Sequence, residues 1–234
     1  MLVSHRHRFI YTKTTKTGGT SVESYFEPYC MADGEWTQAH ARDEYASASG
    51  IVGFRGTAPP PGTLWWNHMP AWKIRDQLGM QVWAGYFKFC VVRNPFDKAI
   101  SNFYFQRSQR LIEVDASTPD AVQFEHWLAS GGAKSDRDKY LIDGEICMDY
   151  IARYETLAID MERICARLAL PWEPGRLPTF KAGIRPAWAV VEALYSPRAE
   201  DIVRKAYAYE LDAFGYSFGS PGSPTSPVGA ERQG

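Results

Sequence analysis

The chain has 234 residues, a formal net charge of −1, 45% hydrophobic and 14% aromatic residues. That length and composition fit a single globular α/β domain with a substantial core and exclude a disordered chain. The near-neutral balance excludes a general nucleic-acid binder, while a local basic groove stays open. Cys30, Cys90, Cys147 and Cys165 are scattered with no Cys-x-x-Cys pair, which suits reduced thiols rather than a disulfide framework. The first eight residues carry no apolar signal region and no run approaches a membrane span, so the expectation is a cytoplasmic chain with no stable membrane anchor.

Arg8-Phe9-Ile10-Tyr11 reads as a short buried strand. His5 and His7 share a strand face, but no acidic or cysteine partner lies nearby, so they read as surface histidines and no metal is expected. The strand leads into Thr12-Lys13-Thr14-Thr15-Lys16-Thr17-Gly18-Gly19-Thr20-Ser21-Val22-Glu23. Two glycines join it to a helix, whose start is marked by Thr20 and Glu23 at capping-box spacing. Glycines allow close backbone approach, and the helix N-terminus presents N–H groups and a positive dipole end. Lys16 adds charge; Thr17, Thr20 and Ser21 add hydroxyls. The stretch Lys16, Thr17, Gly18, Gly19, Thr20 and Ser21 is therefore a candidate phosphate or sulfate site.

An NTPase loop would read Gly-x-x-x-x-Gly-Lys-Ser/Thr, whereas Lys16 precedes the glycines. The order Lys-Thr-Gly-Gly-Thr-Ser instead resembles the 5′-phosphosulfate loop of sulfotransferases that use 3′-phosphoadenosine-5′-phosphosulfate (PAPS). It has the form found in the carbohydrate-type, family 2-like group. Thr15 stands where many of those proteins have proline, a position that supplies no ligand donor.

Residues 28–63 are polar and loop-rich and end in a Pro/Gly stretch inside the domain. Next comes Leu64-Trp65-Trp66-Asn67-His68-Met69-Pro70, with a helix expected over Ala71–Leu78 between Pro70 and Gly79. His68 falls at a strand-to-helix junction. It is read either as a capping or core histidine or, by resemblance to the Gly-His-x-Pro-like segment of carbohydrate sulfotransferases, as the acceptor base. Asn67 stands where that segment has glycine. Trp65 and Trp66 fit the core first and sugar stacking second.

Phe87–Val92 reads as a buried strand, and Asn94, Pro95 and Asp97 open a helix. Arg93 thus stands at a carboxyl strand end, where open α/β sheets bind ligands, and Ser101 lies about two turns into the helix. The run Val-Arg-Asn-Pro-Phe-Asp-x-x-x-Ser is very similar to the 3′-phosphate motif of PAPS sulfotransferases, in which the matching Arg and Ser hold the phosphate. A guanidinium fork suits that ligand.

A helix is expected from about Pro119 to Ala129, with His126 structural. Asp149–Glu155 reads as a strand ending in a polar turn, followed by a helix with Leu157, Met161, Ile164, Cys165 and Leu168 on one face. By resemblance the Tyr154 region lies near the nucleotide, so Tyr154 packs either on adenine or in the core. Lys181 and Arg185 sit in a basic, glycine-containing stretch like the loop that covers the 3′-phosphate in such enzymes; solvated charges are the other reading. A last helix is expected over Pro197–Phe214, capped by Ser196 and stopped by Gly215. The Gly/Ser/Pro-rich tail from residue 219 reads as disordered.

The resemblance implies one P-loop-like α/β domain over residues 1–218, with a mainly parallel sheet flanked by helices. It also implies a sulfotransferase moving a sulfuryl group from PAPS to a hydroxyl, on a carbohydrate or glycolipid, with no metal required. Lys16 and His68 would be catalytic, with Glu23 the runner-up base. The rival readings are a P-loop nucleotide or small-molecule kinase and a catalytically idle PAPS-binding module.

Overall fold

A computed structural model describes residues 1–178, 180 and 183–219. Lys181 and residues 220–234 of the expected tail lie outside the described residues. The elements in chain order are β1 (Leu2–Ser4), β2 (Phe9–Tyr11), α1 (Gly19–Phe26), β3 (Tyr45–Ser47), β4 (Gly50–Val52), α2 (Ala71–Leu78), α3 (Met80–Gly85), β5 (Phe87–Val92) and α4 (Pro95–Ser108). There follow α5 (Asp120–Trp127), β6 (Leu141–Ile142), β7 (Glu145–Ile146), β8 (Tyr150–Arg153), α6 (Leu157–Arg167), α7 (Val191–Leu194), α8 (Pro197–Ala206) and α9 (Ala208–Ala213). They fall into two compact units, one of Met1–Val92 and Asp136–Phe180, the other of Arg93–Ser135 with the described residues of 183–219.

The first unit holds a six-stranded sheet in the order β3-β4-β1-β2-β5-β8. β2, β5 and β8 are parallel, with Phe9 opposite Phe87 and Val91 opposite Ala152. β1 pairs antiparallel with β2 and with β4, and β3 antiparallel with β4. The expected mainly parallel sheet is thus found in the β2–β5–β8 half, while the other half is antiparallel. The cause is loop length. Residues 5–8 and 48–49 link β1 to β2 and β3 to β4, and a parallel crossover needs roughly a dozen residues or more. The polar segment 28–63 is therefore not merely a loop, because it supplies both strands of the sheet's outer hairpin.

Strand residues alternate between faces. Phe9, Tyr11, Phe89 and Val91 meet Val22, Tyr25 and Phe26 of α1 and Met161, Ile164 and Cys165 of α6 in one apolar cluster. Ile10 and Cys90, on the opposite face, are also buried.

In the second unit α4, α5, α7 and α8 enclose Phe96, Ile100, Phe103, Phe124, Trp127, Leu194 and Val203. Asn94 caps α4 by accepting the Phe96 N–H, with Pro95 in the first turn, and Ser196 caps α8 by accepting the Ala199 N–H. The last helix is not continuous as expected. It divides at Tyr207, whose φ of −115° departs from the helical range. The ring is buried and its hydroxyl donates to the Lys134 carbonyl at 2.7 Å, an anchor that outweighs continuation of the helix.

Candidate active site

The link from β2 to α1 is braced from within the first unit. The Thr12 N–H donates to the Phe89 carbonyl at 3.1 Å. The Thr14 hydroxyl donates to the Val91 carbonyl, and the Thr15 N–H to the Asp136 carboxylate at 2.5 Å. Thr17 Oγ1 lies 2.8 Å from Thr14 Oγ1. Since the single Thr14 proton goes to Val91, Thr17 is the donor of that pair. Its hydroxyl therefore holds the loop together instead of facing a ligand, which differs from the donor role expected of it.

Lys16 and Gly18 both adopt left-handed backbone, with φ of 61° and 71°. For lysine that region is unfavourable, and such strain persists only where the surroundings over-determine it. Gly18 is the N-cap of α1, and its carbonyl accepts the Ser21 and Val22 N–H groups at 2.9 and 3.2 Å. Helical geometry leaves the N–H groups of Gly19 and Thr20 with no intrahelical acceptor, so this end of α1 is electropositive.

The expected capping box is absent. α1 begins at Gly19 and no side chain caps it. Glu23 is drawn inward instead and is 1% exposed. Its carboxylate meets the Met1 amino group at 2.7 Å, Lys13 Nζ at 2.6 Å and Arg55 Nη1 at 3.0 Å. Arg55 also pairs with Glu27, which accepts from Arg42 Nε at 3.0 Å. Burial pushes the Glu23 carboxyl up, but the charges of Lys13, the amino terminus and Arg55 outweigh it and hold it well below the usual carboxylate range. An ionised, triply paired carboxylate is a poor proton acceptor, so Glu23 is a structural anion rather than a base.

His68 stands beside the same cluster. Its Nδ1 lies 3.1 Å from the Lys13 carbonyl. A carbonyl only accepts, so Nδ1 carries the proton and Nε2 keeps its lone pair. The residue is half-buried with φ of 56°. Burial pushes the imidazole down, the Lys13 charge adds to this against the pull of Glu23, and the result is about 4.

His68 is thus neutral at physiological pH, and in 15N NMR its ring, identified with His68→Gln, should titrate near pH 4 as one Nδ1–H tautomer. A midpoint at the ordinary 6.5 or a mixed tautomer would contradict the contact with Lys13. Because the unfolded chain takes up this proton first, stability present above about pH 6.5 declines as pH falls toward 4.

Tyr154 follows β8 and is 36% exposed. A Cβ on Gly18 would lie 3.3 Å from its ring, so the tyrosine covers the loop glycine and is not a core residue. Of the tryptophans, Trp65 is buried, and Trp66 has Lys73 Nζ 4.6 Å above its ring.

The second unit gathers the other predicted residues around Asp97. Arg93 Nε donates to Asp97 Oδ2 at 2.7 Å, and Arg185 Nη1 pairs with Oδ1. Arg185 Nε also donates to the Ala189 carbonyl at 2.6 Å. Burial raises the Asp97 carboxyl, but both guanidinium groups overrule it and lower it. Ser101 stands four residues beyond Asp97 on α4, hence on the same helix face. Arg93, Arg185 and Ser101 thus share one neighbourhood.

The sulfotransferase family 2 model, described as "Sulfotransferase family", matches residues 1–217. The chain belongs to that family, and membership supports sulfotransfer as its general activity. An uncharacterized protein of Archaeoglobus fulgidus is 29% identical over 106 residues, which is 45% of this chain and 86% of the relative. No solved structure matches the chain significantly. Among the described residues, no helix is long and apolar enough to cross a membrane. Nor, among them, does any group of three or more His, Cys, Asp or Glu side chains gather where it could hold a metal ion.

Sequence reasoning missed Lys13, Arg55, Asp97 and Asp136. The Arg93–Asp97 spacing of four residues was a readable signal. Nothing local marks Lys13 as buried, since lysine is rarely so.

Proposed function

We propose that the protein transfers the sulfuryl group of PAPS to a hydroxyl acceptor, with carbohydrate or glycolipid as the acceptor class. In this reading the N–H groups of Gly18, Gly19 and Thr20, with the Thr20 and Ser21 hydroxyls, hold the 5′-phosphosulfate. The acceptor oxygen attacks sulfur as the bond from sulfur to the bridging oxygen breaks, and adenosine 3′,5′-bisphosphate leaves. His68 Nε2 takes the acceptor proton. Lys16 stabilises charge growing on the bridging oxygen. Arg93, Ser101, Lys181 and Arg185 serve the 3′-phosphate, and Tyr154 stacks on adenine. These groups act by positioning and electrostatics, and residues 1–218 work as one sulfotransferase domain, in keeping with the family match over 1–217. A cytoplasmic setting belongs to the same reading, supported by four cysteines that are all thiols.

The observation that carries the proposal is the left-handed backbone at Lys16 and His68. Of all the described non-glycine residues only six have positive φ, and these two are the pair expected to be catalytic.

The direct test is consumption of PAPS, with release of adenosine 3′,5′-bisphosphate, across a panel of oligosaccharides, glycolipids and phenols. Arg93→Ala should weaken bisphosphate binding roughly 10- to 100-fold in calorimetry, the worth of a charge-assisted pair of hydrogen bonds. Unchanged affinity in that variant would remove Arg93 from the 3′-phosphate site. Binding of bisphosphate without turnover on any acceptor would favour the idle-module rival.

A further inference from the structure

Lys13 is absent from the roles above, yet it touches both halves of the proposed chemistry in the first unit. The residue is 3% exposed and its side chain runs past Gly19. A Cβ on Gly19 would lie 2.8 Å from both Cγ and Cε of Lys13, closer than real contacts allow. Beyond that crossing, Nζ donates to Glu23 Oε2 at 2.6 Å and to Thr20 Oγ1 at 3.2 Å. A hydroxyl that accepts from an ammonium turns its own proton toward another acceptor. Lys13 thus presents Thr20 as a donor. Its backbone carbonyl meanwhile receives the His68 Nδ1–H, which leaves Nε2 basic.

We propose that Lys13 is a positioning residue that sets the anion loop and the candidate base as one unit, and that position 19 is glycine to let the Lys13 side chain pass. The inference rests on the sulfotransferase reading for its consequences, but its geometry stands apart from that reading. It also separates two explanations of Gly19. If the glycine serves only close approach of a ligand, a methyl group there harms binding whatever stands at 13. If it serves passage of Lys13, shortening residue 13 removes most of the harm.

The test is a mutant cycle of Gly19→Ala, Lys13→Ala and the double variant, read by thermal unfolding without ligand and by calorimetry with adenosine 3′,5′-bisphosphate. Gly19→Ala should lower the melting temperature by about 5 °C, the scale of a one-methyl overpacking in a chain of this size. It should also weaken bisphosphate binding about tenfold or more. On the Lys13→Ala background, adding Gly19→Ala should cost much less in both quantities, since only the Tyr11 hydroxyl, at 3.1 Å, still crowds the new methyl group. Equal losses on both backgrounds would overturn the proposal.

Lys13→Met serves as a second probe, because it keeps the stem and removes the ammonium. It should lose about tenfold in bisphosphate affinity, with Lys13→Arg partly restoring it, while the single His68 tautomer persists because the backbone carbonyl of residue 13 remains. Native bisphosphate affinity in Lys13→Met would also overturn it. Should the unmutated protein bind no bisphosphate, the sulfotransferase reading fails, and the thermal cycle still decides whether Lys13 and Gly19 are coupled.

Discussion

Glu23→Ala is expected to destabilise the protein by about 4 kcal/mol, since removing one partner of a buried ion cluster strands the charges that faced it. Here the Met1 amino group at 2.7 Å and Lys13 at 2.6 Å lose their carboxylate, and Arg55 at 3.0 Å loses one of its two, keeping Glu27. None can turn to water, because Met1, Lys13 and Arg55 are all less than 5% exposed. In a chain of this length the loss corresponds to a melting temperature lower by about 12 °C. Glu23→Gln keeps acceptor and shape, so it should fall between the two. The pH dependence has a definite sign. Glu23 has a lowered pKa in the folded state, so its contribution is complete above the ordinary carboxylate range and is lost as pH falls below it. If Glu23→Ala unfolded within a degree or two of the native protein, the buried cluster would not be a structural keystone. Glu23 would then return as a candidate base.

Lys16→Ala should slow sulfuryl transfer on the order of a hundredfold, because one preorganised electrostatic contact to a developing charge is worth roughly 3 kcal/mol. Alanine is the informative replacement. It keeps a Cβ, so the strain of the left-handed backbone at φ of 61° is unchanged and the difference reports the ammonium. Bisphosphate affinity should fall much less than the transfer rate, since charge on the bridging oxygen grows only as the bond to sulfur breaks. Single-turnover measurement with PAPS and binding by calorimetry separate the two effects. Normal turnover in Lys16→Ala would end its catalytic assignment.

What the sequence made legible was local. Phe87–Val92 is a continuous apolar run closed by Asn94 and Pro95, and β5 and α4 lie where that punctuation puts them. The helix over Ala71–Leu78 follows likewise from Pro70 and Gly79. β1, β3 and β4 went unread because, unlike the equally short β2 that leads into the glycine loop, none of these three-residue segments adjoins a local motif, and each is a strand through its pairing. The site divides in the same way. Lys16, Gly18 and Gly19 stand in one contiguous motif. The Glu23 cluster needs Arg55, 32 residues away, and Asp97 meets Arg185 across 88 residues. Thr20 and Glu23 have the spacing of a capping box, but a local rule lost there to three buried cations.

The measurement that bears most directly on the central claim is calorimetry of the native protein with adenosine 3′,5′-bisphosphate, compared with ATP and magnesium, ADP and AMP. The account predicts clear preference for the bisphosphate, because it alone carries a phosphate for the Thr20–Ser21 loop and another for Arg93. Preference for ATP with magnesium, or no binding of any nucleotide, would contradict it.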